Sequence, residues 1–161
     1  MKKEKDFEEL LRLFNKNKVR YCVVGAYAVA FYAKPRYTKD IDILVEASLE
    51  NSKRIVKSLN EFGFMSLNLS EKDFSQKGRI VQLGYEPVRI DVITSLQGVA
   101  FKKIWENKAV GVYGNEKVFF IGLNELIKNK KSVRRKQDLV DLDILLITES
   151  KKKLKAMRRA R

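Results

Sequence analysis

The chain has 161 residues, of which 45% are hydrophobic and 10% aromatic, and this size and composition predict one globular unit with its own core. It carries 34 Lys and Arg against 20 Asp and Glu, a formal net charge of +14, which indicates a polyanionic partner such as a nucleotide or nucleic acid. There is no histidine and a single cysteine, Cys22. These absences exclude Ser-His-Asp and Cys-His catalysis, histidine-ligated zinc and an internal disulfide, so any metal would bind carboxylate oxygens.

Hydrophobic spacing, helix caps and turn residues predict alternating helices and strands. In chain order they predict a helix at 4–16, a strand at 21–24, a helix at 27–33, a strand at 41–45 and a helix at 49–62. Strands at 79–84 and 88–94, a helix at 98–106, a strand pair at 109–113 and 117–121, and helices at 123–130 and 134–147 follow. Ser48 is the expected N-cap of the 49–62 helix and Gly63 its stop. The fold class is therefore α/β (α+β), a mixed β-sheet flanked by helices with a helical C-terminal third.

Positive charge is concentrated at the C-terminal end. Residues 128–161 hold 13 basic and 4 acidic residues, and residues 151–161 hold seven basic residues and no acid. We divide the chain into a single domain at 1–150 and a basic tail at 151–161, which is either a solvated end or a contact for an RNA backbone. No apolar run approaches the roughly 18–20 residues of a membrane span, and the amphipathic start does not resemble a signal sequence, so we expect a cytoplasmic protein with no membrane partner.

Two aspartates lie in the most informative segment, residues 23–46. Asp40 and Asp42 are two apart in a strand and therefore point to the same face, whereas Ile41 and Ile43 point to the other. Like charges side by side repel, and a divalent cation turns that repulsion into attraction. Two adjacent carboxylates can bridge a pair of Mg²⁺ or Mn²⁺ ions, as phosphoryl and nucleotidyl transfer require.

Asp91 repeats the pattern of an aspartate between β-branched residues in a strand. We interpret it as the third carboxylate of one metal site with Asp40 and Asp42. The alternative is that each aspartate lies at a strand end and pairs with an Arg or Lys.

A second element of the site is Gly25-Ala26, where a strand passes directly into a helix. Free backbone N–H groups at a helix N-terminus attract phosphate, and glycine allows close approach. Thirteen residues separate Ala26 from Asp40, so a phosphate cradle and a metal pair are expected on adjacent strands.

Together, Gly25-Ala26, the thirteen-residue gap and Asp40-Ile41-Asp42-Ile43 resemble the signature of the DNA polymerase beta-like nucleotidyltransferase superfamily. Pro35-Arg36, Thr38 and the segment 126–142 resemble the small prokaryotic branch related to AbiEii-type toxins. Ala26 stands where the superfamily usually has Gly or Ser, and Gln137 where related sequences often have a basic residue.

The resemblance implies a role for each matching residue. Asp40 and Asp42 would hold Mg²⁺ or Mn²⁺, and Asp91 would help to hold one ion and activate the attacking hydroxyl. The phosphates of a nucleoside triphosphate would bind Gly25 and Ala26, with further contacts from Thr38, Lys130 and Arg135, the last fixed by Asp138.

The implied reaction is transfer of a nucleoside monophosphate from a triphosphate to an RNA or protein hydroxyl, releasing pyrophosphate. The resemblance also suggests a toxin with a cognate antitoxin as partner. Two alternatives stay open: transfer to a small molecule such as an aminoglycoside, and a nucleotide- or RNA-binding module with the same fold and no turnover.

Overall fold

The computed structural model describes residues 4–161, which fold around a six-stranded mixed sheet. The strands lie in the order β3-β4-β2-β1-β6-β5. Their bounds are β1 Tyr21–Val24, β2 Asp40–Val45, β3 Ile80–Tyr85, β4 Val88–Ile93, β5 Ala109–Tyr113 and β6 Glu116–Phe120. The helices are α1 Lys5–Lys16, α2 Gly25–Tyr32, α3 Leu49–Phe62, α4 Lys72–Ser75, α5 Phe101–Glu106, α6 Leu123–Val133 and α7 Lys136–Arg159, with a 3-10 turn at Met65–Leu67. The predicted fold class is confirmed.

The centre of the sheet is formed by β1, whose four residues are all buried. It runs antiparallel to β2 and parallel to β6, and β2 in turn runs parallel to β4. The hairpins β3–β4 and β5–β6 complete the two sides. A strand buried on both faces needs continuous apolar sequence, which explains why Tyr-Cys-Val-Val occupies this place.

The N-terminal helices form as the sequence predicts. The apolar residues at helical spacing in α1 are fully buried: Phe7, Leu10, Leu11 and Phe14. At the start of α3 the Ser48 hydroxyl accepts a hydrogen bond of 3.2 Å from the Asn51 amide, and the helix ends at Gly63 with a φ of +113°. Residues 65–67 and 72–75 add two short helical turns that the sequence pattern did not predict.

The largest difference from the sequence-based expectation is the length of α7. We predicted its end near Ile147, whereas the helix continues to Arg159. Residues 151–159 consist of Lys, Leu, Ala, Met and Arg, which all favour helix, and none of them is Gly or Pro. The seven basic residues therefore lie mostly on a helical extension, and all of residues 151–161 are exposed.

No helix within residues 4–161 is both long and apolar enough to cross a membrane.

Candidate active site

The predicted carboxylates come together on one face of neighbouring strands. In the parallel register of β2 and β4, Asp42 lies opposite Asp91, and Asp40 lies opposite Arg89. The alternation predicted for β2 is present, because Ile41 and Ile43 are buried on the opposite face. The sheet therefore gathers Asp40, Asp42 and Asp91 from two strands that are about fifty residues apart in the chain.

The β1–α2 junction lies beside Asp42. Val24, the last residue of β1, pairs with Asp42, and Gly25 begins α2 with a φ of +64°. A Cβ atom placed on Gly25 would overlap the Asp42 carboxylate. Glycine is thus required here both for the left-handed backbone and for the space that Asp42 occupies. The junction thus brings the start of α2 next to Asp42, and Ala26 is the second residue of that helix.

Ionisation of Asp42 is opposed by its surroundings. Burial, followed by the charges of Asp91 and Asp40, raises the pKa of Asp42 to about 6, and Lys130 and Arg89 offset only part of this effect. Asp42 takes part in none of the ion pairs found among residues 4–161. A concentration of carboxylates with too little neutralising charge is the arrangement that a divalent cation stabilises.

The side chain of Arg89 lies on the same face as the carboxylates and binds two of them. The Arg89 Nη2 lies 2.7 Å from Asp40 Oδ2, and the guanidinium also donates to both oxygens of Asp91 at 3.0 and 3.2 Å. Arg89 was not among the predicted site residues. A signal was present in the sequence, because Arg89 is two residues before Asp91 and must share its face.

The carboxylate oxygens of Asp40, Asp42 and Asp91 suit a hard divalent cation. Among residues 4–161, no three acidic, Cys or His side chains already converge as a metal cluster. Carboxylate oxygens are nonetheless the ligands that Mg²⁺ and Mn²⁺ prefer. Asp40 Oδ1 is buried and has no hydrogen-bond partner among the described residues, so this oxygen has an unused acceptor site. Asp40, Asp42 and Asp91 are therefore suitable ligands for such an ion.

Thr38 lies in the loop that leads into β2. Its hydroxyl accepts a hydrogen bond of 3.2 Å from the Asp40 amide and lies 3.3 Å from the Asp40 carbonyl oxygen. Thr38 also lines a cavity of about 440 Å³ together with Tyr27, Arg36 and Lys39. The side chain thus shapes the backbone that presents Asp40.

Lys130 of α6 is buried against two carboxylates of α7. Its ammonium lies 2.8 Å from Asp138 Oδ1 and 3.0 Å from Asp141 Oδ2, and the three side chains are 5%, 2% and 0% exposed. Its charge also acts on Asp42 of the sheet, since it lowers the pKa of that carboxyl. Lys130 therefore acts on the site through its field while its own donors bind Asp138 and Asp141.

Each of these two carboxylates also binds an arginine: Asp138 binds Arg135, and Asp141 binds Arg36. The Arg135 Nε donates to Asp138 Oδ2 at 2.8 Å, and its side chain remains 76% exposed. Burial opposes ionisation of Asp138, but the bonds from Arg135 and Lys130 outweigh it and hold its pKa at about 2. Arg36 Nε lies 3.1 Å from Asp141 Oδ1, so the loop before β2 is tied to α7.

The fold and this arrangement can be compared with known proteins. No protein-family model matches the sequence, and no curated protein matches it. Solved structures do match: the solution structure of the antibiotic-resistance factor ANT(2'')-Ia has a TM-score of 0.59 at 11% identity over 96% of this chain and 88% of that chain. The chain has the nucleotidyltransferase fold.

Two further structures lead to the same fold. The lincosamide antibiotic adenylyltransferase LnuA, in its lincomycin-bound crystal structure, has a TM-score of 0.53 at 15% identity over 88% of this chain and 95% of that one. The protein TM1012 of Thermotoga maritima, assigned as a nucleotidyltransferase, has a TM-score of 0.51 at 14% identity over 96% and 91%. The nucleotidyltransferase fold therefore extends over nearly the whole chain, including the helical C-terminal third.

Proposed function

We propose that the protein is a metal-dependent nucleotidyltransferase with its active site at Asp40, Asp42 and Asp91. The observation that carries this proposal is the assembly of three carboxylates on one face of β2 and β4 beside the first turn of α2. The nucleotidyltransferase fold supports it. Asp40 and Asp42 would hold Mg²⁺ or Mn²⁺, with Asp91 as an additional ligand. Such an ion supplies charge neutralisation for the triphosphate and for the oxygens that exchange at the α-phosphorus.

The triphosphate of a nucleotide would bind at the β1–α2 junction. The positive φ of Gly25 and the lack of a side chain there allow the backbone to approach an anion, and the N–H of Ala26 lies in the first turn of α2. Thr38 and the exposed side chain of Arg135 are candidates for direct contacts to phosphate oxygens. Lys130 would contribute positive potential without a direct contact to phosphate, because its ammonium is bound by Asp138 and Asp141.

The transfer itself needs no covalent intermediate. An acceptor hydroxyl oxygen forms a bond to the α-phosphorus, and the bond from that phosphorus to the bridging oxygen of the β-phosphate breaks, which releases pyrophosphate. The hydroxyl proton passes to the carboxylate of Asp91. The protein supplies positioning and electrostatic stabilisation.

The preferred acceptor is an RNA or protein hydroxyl. Residues 151–161 present seven basic side chains, all exposed, at the end of α7. A helical array of cations suits an RNA backbone. The sequence resemblance to AbiEii-type toxins leads us to include a cognate antitoxin as a partner in this proposal.

The second candidate is transfer to a small molecule. The names of two structural neighbours favour it: LnuA is a lincosamide adenylyltransferase, and ANT(2'')-Ia has a structure in complex with adenylyl-2"-tobramycin. The net charge of +14 disfavours a cationic acceptor such as an aminoglycoside.

Label transfer tests the proposal and separates the acceptors. Each α-³²P nucleoside triphosphate is incubated with the protein and Mg²⁺ or Mn²⁺, with total RNA, cell lysate, lincomycin and tobramycin as acceptors. We expect a labelled RNA or protein band that is lost in Asp42→Asn and retained in Asp143→Asn, an exposed aspartate of α7. Triphosphate binding without transfer to any acceptor would favour a binding module, and equal transfer by Asp42→Asn would contradict the site.

A further inference from the structure

The guanidinium of Arg89 spans two of the three site carboxylates. It contacts Asp40 on β2 at 2.7 Å and makes a bidentate contact with Asp91 on its own strand at 3.0 and 3.2 Å. The parallel register determines this geometry, because Asp40 is directly opposite Arg89 while Asp91 is two residues further along the same face. Arg89 therefore links β2 to β4 at the point where the site carboxylates meet.

These contacts are protected enough to matter energetically. The side chains of Arg89, Asp40 and Asp91 are 28%, 22% and 11% exposed. A planar guanidinium with two parallel bonds to a carboxylate is a strong charge-assisted pair, and partial burial reduces its screening by solvent. Exposed ion pairs of the chain, such as Lys39 with Glu86 at 47% and 55% exposure, lack this protection.

The pair uses the oxygens that a divalent cation would need. Asp40 Oδ2 and both oxygens of Asp91 are bound by Arg89, so a metal ion that binds these oxygens competes with the guanidinium for them. Arg89 leaves the other oxygen of Asp40 unsatisfied, since the buried Oδ1 has no hydrogen-bond partner among the described residues. An ion that binds Asp40, Asp42 and Asp91 together would therefore satisfy groups that the guanidinium does not.

We infer that Arg89 is a built-in counter-cation that closes the metal-free site and is displaced when a divalent cation binds. Displacement frees its donors at the edge of the site, where they can bind a phosphate oxygen of the triphosphate. Arg89 thus lowers metal affinity in the free protein and couples metal binding to nucleotide binding. This inference rests on the proposed function, because it assumes that the three carboxylates bind metal.

The coupling has a thermodynamic consequence. Without nucleotide, the metal must displace a guanidinium that has no other anion to bind. With nucleotide, the released guanidinium gains a phosphate partner, so metal and triphosphate bind more tightly together than separately. Removal of Arg89 should therefore raise metal affinity in the absence of nucleotide and weaken the coupling.

The experiment is a Mn²⁺ titration in which free Mn²⁺ is followed by electron paramagnetic resonance. It compares wild type with Arg89→Gln, Arg89→Lys and the control Lys39→Gln, each with and without a non-hydrolysable ATP analogue. Lys39→Gln removes a nearby positive charge that contacts Glu86 and neither Asp40 nor Asp91. Circular dichroism verifies that each variant is folded.

Without nucleotide, we expect Arg89→Gln to bind Mn²⁺ about tenfold more tightly than wild type, which corresponds to the loss of one charge-assisted contact. Arg89→Lys should lie between the two, because one ammonium cannot bridge both carboxylates. Lys39→Gln should bind as wild type does. The ATP analogue should increase Mn²⁺ affinity more in wild type than in Arg89→Gln.

Three results would overturn the inference. Equal or weaker Mn²⁺ binding by Arg89→Gln and Arg89→Lys would show that the guanidinium does not compete, while the proposed function would stand. An equal gain in Mn²⁺ affinity for Lys39→Gln would show that the effect comes from the loss of any nearby positive charge and not from the contacts of Arg89. If no variant binds Mn²⁺ with or without the analogue, the metal site itself is absent and the proposed function fails as well.

Discussion

Gly25 and Asp42 are in direct contact: the Cα of Gly25 faces the Asp42 carboxylate so closely that a methyl group at position 25 would overlap it. The contact joins the backbone proposed to receive phosphate with a carboxylate proposed to hold metal. The register of β1 and β2 enforces it, since Val24 pairs with Asp42. The geometry of the two halves of the site is therefore determined by one pair of residues in the centre of the sheet.

Gly25→Ala should disturb both halves at once. Alanine at a φ of +64° costs about 1–2 kcal/mol, and displacement of Asp42 adds to that cost. The matched control is Gly78→Ala, because Gly78 also has a positive φ, +80°, but has open space around its Cβ position. Thermal unfolding and nucleotide binding measure the two effects. We expect both variants to lose stability and only Gly25→Ala to lose metal-dependent nucleotide binding; unchanged binding in Gly25→Ala would contradict the assignment.

Asp42→Asn should stabilise the metal-free protein at neutral and alkaline pH. Burial and the neighbouring Asp91 and Asp40 raise the pKa of Asp42 from 3.8 to about 6. The folded state therefore holds this proton more tightly than the unfolded state, and the free energy of unfolding falls as the pH rises from about 4 to 6. Above pH 6 the ionised carboxylate costs about 3 kcal/mol, a cost that asparagine at this position does not carry.

The measurement is thermal unfolding in EDTA across pH 4 to 8. We expect the melting temperature of Asp42→Asn to exceed that of wild type by about 6–12 °C at pH 8 and to be close to it at pH 4. The exposed Asp143→Asn serves as the control and should follow wild type. A constant difference between Asp42→Asn and wild type over the whole range would contradict the raised pKa.

Lys130→Met should be strongly destabilising. The substitution removes the ammonium from between Asp138 and Asp141, and leaves two buried carboxylates with only Arg135 and Arg36 to neutralise them. Loss of one partner from a buried ion pair costs about 3–5 kcal/mol. The exposed neighbour Lys131→Met is the control. Chemical denaturation should show a clear loss for Lys130→Met alone, and equal stability of the two variants would mean that the network contributes little.

The basic end of α7 should dominate binding to single-stranded RNA. Replacement of the seven Lys and Arg residues in 151–161 by Gln keeps the helix length and removes the charge. Log K falls linearly with log salt, and each lost phosphate contact reduces the magnitude of this negative slope by about 0.7. The slope should therefore become shallower by up to about 5. A double variant of the exposed Lys53 and Lys57 on α3 is the control. If the seven-residue variant keeps the wild-type slope in anisotropy titrations, RNA binds elsewhere or not at all.

The sequence predicted the sheet strands and the shared face of Asp40 and Asp42 because both depend on local periodicity. Alternation in a strand places Asp40 and Asp42 on one face whatever else the fold does. The pairing of Asp42 with Asp91 depends on the parallel register between β2 and β4, which was not predicted because local sequence pattern does not determine strand register.

The contacts that sequence reasoning missed are mostly long-range ion pairs. Arg36 and Asp141 are 105 residues apart in the chain, and no local pattern joins them. Lys130 gave no sign of burial, because lysine is almost always exposed unless it is paired. The helical extension of α7 was different, since residues 151–159 have high helix propensity, and we divided them off as a tail because of their charge alone.

The proposed active site is tested most directly by metal-dependent binding of a non-hydrolysable ATP analogue, measured by calorimetry for wild type, Asp42→Asn and Lys39→Gln. It is independent of the acceptor. We expect wild type and Lys39→Gln to bind the analogue in Mn²⁺ and to lose most of that affinity in EDTA, and Asp42→Asn to bind weakly in both conditions. Binding by Asp42→Asn that equals wild type in Mn²⁺ would contradict the assignment of the site to Asp40, Asp42 and Asp91.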